Sequence, residues 1–216
     1  MSNLFDPAPP VTVPVEGAGG YPIRRIFCIG RNYEAHAAEM GSQADRAAPF
    51  FFTKTPSHVV APGDWAYPPG TSDVHHEVEL VVALGADGRV RAAGVGLDMT
   101  RRDLQSDAKQ RRRPWDVAKD FEGSAILGQM VEATAEDLGV LDISLAVNGD
   151  ERQSGSTRDM IHGVPALLAH LCGLYTLGAG DIVMTGTPAG VGPVSVGDRL
   201  TGRIGFLPEI EVTVVR

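Results

Sequence analysis

The residues best suited to chemistry in this chain are the carboxylates of His75-His76-Glu77-Val78-Glu79-Leu80-Val81-Val82-Ala83-Leu84. Five of the last six residues are apolar and the branched ones favour strand, so the segment is expected to enter the core with two acids near its start. Residues two apart on a strand project to one face, roughly 6.5 to 7 Å apart, which puts His75, Glu77 and Glu79 on a shared side. Carboxylates that close in a part-buried strand repel one another and resist leaving water, so they need basic side chains or a bound cation. An all-oxygen acidic site favours hard ions such as magnesium, manganese or calcium. A solvated edge strand with an acidic polar face would carry the same pattern.

A second reactive set follows Arg31-Asn32-Tyr33. Asn32 is able to cap a short helix rich in alanine, and His36 and Glu39 then fall three apart on one of its faces. A histidine held by a carboxylate suits a general base, because it keeps one tautomer and is stabilised on becoming positive. An ordinary surface pair has the same spacing. Asp98 opens a helix-like run in which Asp98, Arg102 and Gln105 share a face, and Asp98 equally suits an N-cap. Lys119 lies in an irregular segment, Pro114 to Phe121, flanked by aromatics. The glycine-rich stretch Thr185 to Pro193 offers backbone donors and two hydroxyls. It lacks the Gly-Lys-Ser/Thr ending of a phosphate loop and no helix pattern follows it, so nucleotide binding is not expected.

Several elements must position these groups. Ile26 to Gly30 reads as a buried strand, Pro49 to Lys54 as a strongly apolar one, and Gly85-Ala86-Asp87-Gly88 as a hairpin turn leading to a strand from Arg89 to Gly96. The basic run Lys109 to Arg113 reads as the solvated end of a helix, where positive charge suits the dipole. Ala135 to Leu138 is a short helix candidate, and Pro165 starts a helix that runs to about Cys172 with Leu167, Leu168 and Leu171 inward. Strands are expected at Leu141 to Val147, Ile182 to Met184, Arg199 to Ile204 and Glu209 to Val215. Residues 1–22, broken by proline and glycine, read as an extended arm in which Val11, Val13 and Val15 alternate; residues 23–216 read as the main domain.

The 216 residues are 43% hydrophobic, enough to bury a sizeable core as one domain. A formal charge of −8 argues against a nucleic-acid or anionic-membrane binder. Two cysteines, Cys28 and Cys172, sit in apolar company without metal or redox spacing, so buried thiols in a reducing, cytoplasmic setting are expected. No run approaches the ~20 apolar residues of a membrane helix, and the N-terminus has no secretory pattern.

Taken in order, Gly30-Arg31-Asn32-Tyr33 with His36 and Glu39, Pro49-Phe50-Phe51-Phe52, the His75 to Glu79 strand, Asp98 with Arg102-Asp103-Leu104-Gln105, Lys119, and the Thr185 to Pro193 loop resemble the fumarylacetoacetate hydrolase family. Within it, Gly94 to Asp103 and Arg113-Pro114-Trp115-Asp116 look most like the fumarylpyruvate hydrolases of gentisate breakdown. The resemblance implies an α+β, mostly β fold, a mixed β-sandwich roll, assembled as a homodimer. It implies a divalent metal, magnesium first with manganese or calcium as alternatives, on Glu77, Glu79 and Asp98. It further implies His36, Glu39 and Lys119 as catalytic residues, with Arg31, Tyr33, Arg102, Gln105 and Thr187 binding a small diketo acid.

The activity so implied is hydrolysis of an acylpyruvate. Oxaloacetate decarboxylation or keto-enol isomerisation uses the same enolate chemistry, and a non-catalytic β-roll that binds a metal or small acid is the alternative of another class. Two departures from the family pattern stand out. The connection from Glu79 to Asp98 is shorter than usual, lacking a short helix, and Lys54 is followed by Thr55-Pro56 where Lys-Pro is commoner.

Overall fold

Val78–Leu84, with all seven residues buried, runs through the middle of a nine-stranded sheet in a computed structural model that describes residues 4–6, 8–39, 41 and 46–216. The strand order across that sheet is Gly19–Pro22, Thr12–Val15, Ala125–Glu132, Val90–Asp98, Val78–Leu84, Asp181–Met184, Arg25–Gly30 and Phe50–Lys54, and Val59–Val60 adds beside Ala125–Glu132. Parallel and antiparallel neighbours are mixed. The sheet curls: Tyr21 on its first strand donates to the carbonyl of Leu84 on its fifth at 2.8 Å. The acidic segment is therefore central, and the solvated-edge alternative does not hold.

Five strands, Asp150–Ser156, Asp142–Val147, Arg199–Ile204, Ile210–Val215 and Gly63–Ala66, form a second sheet. Side-chain alternation sorts the core between the two sides of the large sheet. Val78, Leu80, Val82, Leu84, Val95 and Leu97 pack with Ile143, Leu145, Leu200, Ile204 and Ile210. On the other side, inside the curl, Val81, Ala83 and Ala92 pack with Ile26, Cys28, Leu127, Met130, Ile182 and Met184. This is a mostly β fold of layered, curled mixed sheets.

That parity decides where the acids go. Glu77 and Glu79 fall on the side of Val81 and Ala83, and Asp98 falls on the side of Ala92. The hairpin register pairs Glu79 with Gly96 and Val81 with Gly94, and the Asp98 amide donates to the Glu77 carbonyl at 2.9 Å. The short connection noted in the sequence closes as a turn, with the Gly85 amide on the Arg89 carbonyl at 2.8 Å, so the acids remain in register without an intervening helix. Lys54, paired with Ile26, emerges on the same side.

Several expectations are corrected. Asp98 ends a strand rather than starting a helix: it pairs with Ala125, Thr100–Arg101 continues extended, and the helix is Arg102–Gln110 with Arg101 at its N-cap. Asn32 does not cap the helix Glu34–Glu39, because its side-chain amide is taken up by the carbonyls of His162 and Thr185 and by the His162 amide. Ala135 to Leu138 is a turn, closed by the Asp137 carboxylate on the Thr134 amide and hydroxyl at 2.8 Å each. Cys28 is buried, but Cys172 is exposed: the helix Val164–Cys172 buries Val164, Leu167 and Leu171, and the next position turns to solvent. Lys119 lies on a one-turn helix, Asp116–Lys119, not in an irregular loop.

Of the expected N-terminal arm, residues 1–3 and 7 lie outside the described residues. Thr12–Val15 pairs with both Gly19–Pro22 and Ala125–Glu132, with Val13 buried. Among the described residues no helix is long and apolar enough to cross a membrane.

Candidate active site

The carboxylates of Glu77, Glu79 and Asp98 meet at one end of the curled sheet, each offering an oxygen within 4.8 Å of the others, all three buried. Glu77 occupies the break between Val74–His76 and Val78–Leu84, where the chain passes from a small three-stranded sheet into the large one. Three cations match the three acids. Lys119 Nζ lies 2.7 Å from Glu77 Oε2 and 2.9 Å from Asp98 Oδ2, Lys54 Nζ lies 2.9 Å from Asp98 Oδ1, and Arg102 Nη2 lies 2.5 Å from Glu77 Oε1.

The three acids are not equivalent. Burial would raise the Glu77 pKa, but Lys119 and then Arg102 outweigh it and hold the carboxyl far below the usual range. Glu79 has no cationic partner among the described residues; its Oε2 accepts only from the Gly186 amide, at 2.9 Å. Burial, then Asp98 and Glu77, push its pKa well above the usual carboxylate value. A buried carboxylate beside two others and without an ion-pair partner among the described residues is the chemistry a hard divalent cation relieves, so the donor set fits the expected metal. Burial lowers the Lys119 pKa, but Asp98 and Glu77 outweigh it and keep the ammonium charged.

A pocket of about 30 Å3 opens over these acids, lined also by Arg31, His36, Phe52, Arg102, Gln105, Lys109, Trp115, Lys119 and Thr187. Helix periodicity explains one wall: Arg102, Gln105 and Lys109 recur on one face of Arg102–Gln110, and Arg102 Nη1 donates to Gln105 Oε1 at 2.7 Å. The helix Glu34–Glu39 supplies the opposite wall. His36 Nδ1 lies 3.5 Å from Glu39 Oε2, and the Gly190 amide donates to both Glu39 oxygens at 3.1 Å, so the glycine-rich loop fixes the carboxylate beside the imidazole. Burial, and then the charges of Arg102 and Lys119, lower the His36 pKa against the opposing pull of Glu77 and Glu39.

Most of the anticipated residues converge here, but two do not. His75 turns away and binds Asp73 at 2.9 Å, because Glu77 sits at a strand break and regular alternation stops there. Tyr33 lines a neighbouring cavity of about 580 Å3, with its backbone bridged to Met160, and its buried hydroxyl remains near enough to the cluster that Glu79, after burial, raises its pKa. Four positions were missed. Lys109 shared the spacing of Arg102 and Gln105, a signal present in the sequence. Lys54 and Trp115 lie in stretches that the family pattern marks but carry no spacing that points to the site, and Gln153 carries neither signal. Gln153, fully buried, donates to Thr187 Oγ1 at 2.7 Å and to the Pro188 carbonyl at 2.9 Å, and accepts from the Val78 amide at 3.1 Å, so it ties the loop to the acidic strand.

Residues 25–215 match the fumarylacetoacetate (FAA) hydrolase C-terminal family. The chain belongs to that family. This family member is 41% identical over 193 residues to the oxaloacetate tautomerase YcgM of Escherichia coli, a match covering 84% of this chain and 88% of the relative. It is 39% identical over 188 residues to a fumarylpyruvate hydrolase of Ralstonia sp, covering 81% and 98%. A crystal structure of fumarylpyruvate hydrolase from Pseudomonas aeruginosa, in complex with Mn2+ and pyruvate, superposes with a TM-score of 0.92 at 40% identity, covering 99% of each chain. The chain is thus an enzyme of the fumarylacetoacetate hydrolase type, with three buried carboxylates grouped closely enough to hold a metal ion.

Proposed function

We propose that this enzyme hydrolyses the carbon–carbon bond of an acylpyruvate, with fumarylpyruvate giving fumarate and pyruvate. The observation that carries the proposal is the His36 and Glu39 pair, built over the acidic cluster and braced by Gly190. A divalent cation on Glu77, Glu79 and Asp98, magnesium in the first instance and manganese as an alternative, supplies a Lewis acid for the pyruvyl end of the substrate.

The chain's own residues do the rest. His36, kept neutral by its buried setting and oriented by Glu39, takes a proton from water. The hydroxide adds to the distal ketone, and the oxyanion is stabilised by Lys119 with Gln105 and Arg102. Collapse of that adduct breaks the bond to the pyruvyl methylene, which leaves with the electron pair as an enolate. The imidazolium of His36 returns a proton to that carbon, completing pyruvate. Lys54, Lys119 and Arg102 balance the three acids in charge, so a divalent cation held there would add the positive charge that an anionic substrate requires.

A second reading follows from the 41% identity to an oxaloacetate tautomerase: the same enolate site could exchange protons on oxaloacetate without adding water. Incubating the Mg2+- or Mn2+-loaded protein with fumarylpyruvate, acetylpyruvate and oxaloacetate separates the two. Loss of the ultraviolet enol absorbance with equimolar pyruvate release from fumarylpyruvate is expected. Equilibration of oxaloacetate enol with no pyruvate from any acylpyruvate would establish the second reading instead.

A further inference from the structure

The pocket over the acids, at about 30 Å3, is too small to enclose an acylpyruvate, so the acyl arm must extend through its mouth. Two features of that mouth are unusual in a chain of net charge −8. Arg31 and Lys109 both border it, and among the described residues neither forms an ion pair. Both instead lie against one indole: the Arg31 guanidinium carbon is 5.9 Å from the Trp115 ring centre, and Lys109 Nζ is 5.1 Å from it.

Burial, and then the charges of Arg102 and Arg31, lower the Lys109 pKa. Arg31 further holds a left-handed backbone, φ 59°, which disfavours any side chain beyond glycine. Phe50 extends the aromatic wall, its ring 5.3 Å from Trp115 and 5.9 Å from the Arg31 guanidinium. Phe50 meets Trp115 edge to face at 70°, and unpaired positive charge beside such an apolar wall recognises a partly apolar group that ends in an anion.

We propose that Arg31 and Lys109, with Trp115 and Phe50 as the wall, seat a terminal carboxylate on the acyl arm and so determine which acylpyruvate the enzyme accepts. This rests on the acylpyruvate reading and deepens it. The site selects arms that are extended and acidic at the far end, over short or neutral ones. The two residues determine specificity and touch no reacting atom.

The test compares fumarylpyruvate with the analogue whose arm ends in methyl in place of the carboxylate. In wild type the carboxylate arm is favoured. In Arg31→Gly, Lys109→Met and the double variant, kcat/KM for the carboxylate arm falls about ten- to a hundredfold, mainly through KM, and the preference for the carboxylate arm over the methyl arm falls by about tenfold or more. Arg31→Gly suits the left-handed backbone and melts no lower than wild type.

Equal losses on both arms, or a wild type indifferent to them, overturn the proposal. Failure to cleave any acylpyruvate overturns the proposed function instead. The subsite is then judged by calorimetry of the Mn2+-loaded protein with fumarate and with crotonate. Fumarate binding more tightly than crotonate and weakened in the double variant upholds the subsite; unchanged affinity in the variant overturns it.

Discussion

Lys54 Nζ lies 2.9 Å from Asp98 Oδ1, and the same ammonium donates to the backbone carbonyl of Lys119, so one buried lysine fixes both an acid of the cluster and the helix that carries its other lysine. Removing one partner of a buried ionic network leaves the remaining charges undercompensated. Lys54→Met is expected to lower unfolding free energy by roughly 3 kcal/mol in the metal-free protein, and added Mn2+ is expected to restore part of it. Urea unfolding with and without chelator measures both, and a loss below about 1 kcal/mol would assign Lys54 no bracing role.

His36→Ala is expected to lower kcat by about a hundred- to ten-thousandfold while Mn2+ binding persists. Because burial and neighbouring cations depress the imidazole pKa, the acid limb of kcat/KM falls below the ordinary histidine value of 6.5. Glu39 favours the charged ring, so Glu39→Gln moves that limb further down while lowering kcat. A limb that stays in place in both variants would remove His36 as the base.

Glu79 sets the pH behaviour of the metal-free protein. Its folded pKa is raised, so the folded state holds a proton that the unfolded chain has lost, and stability from this group falls as pH rises from the usual carboxylate range through the raised value. Glu77 has the opposite sign: its stabilisation is present above the usual value and is lost on acidification. In chelator, Glu79→Gln is expected to melt higher than wild type at neutral pH and to lose the decline with pH. With saturating Mn2+ the order reverses, because only wild type gains from the ion. Thermal melts across pH in chelator and in Mn2+ make the comparison.

Gly190 and Gly197 separate local strain from function. Both have positive φ, 95° and 98°, but a Cβ on Gly190 would lie 1.9 Å from the Arg152 carbonyl oxygen, whereas a Cβ on Gly197 meets nothing within 4 Å. Gly197→Ala is expected to cost about 1 to 3 kcal/mol of strain with kcat unchanged. Gly190→Ala displaces the amide that holds Glu39 and is expected to lose kcat as well. Equal kcat in the two variants would detach Glu39 from the loop.

Sequence patterns reached the acidic cluster because strand alternation and side-chain chemistry are local. Glu77 and Glu79 declare themselves two apart in an apolar run, and the hydrophobic strands Arg25–Gly30 and Phe50–Lys54 are legible for the same reason. Asp98 was placed on a helix, because its spacing to Arg102 and Gln105 is helical. Its pairing with Ala125 depends on a partner 27 positions away that no local pattern reveals. Lys54 and Gln153 were illegible as site residues for the same reason: their roles come from long-range contacts to Asp98, Thr187 and Val78. His75 was misplaced because one strand break at Glu77 resets the alternation on which its assignment depended.

The most direct test of the shared-cation centre is a calorimetric Mn2+ titration of wild type beside the Glu77→Gln, Glu79→Gln, Asp98→Asn triple variant, with circular dichroism confirming that both are folded. One saturable ion per chain in wild type and none in the variant is the expected result. A folded variant that still binds one Mn2+ with wild-type affinity would contradict it.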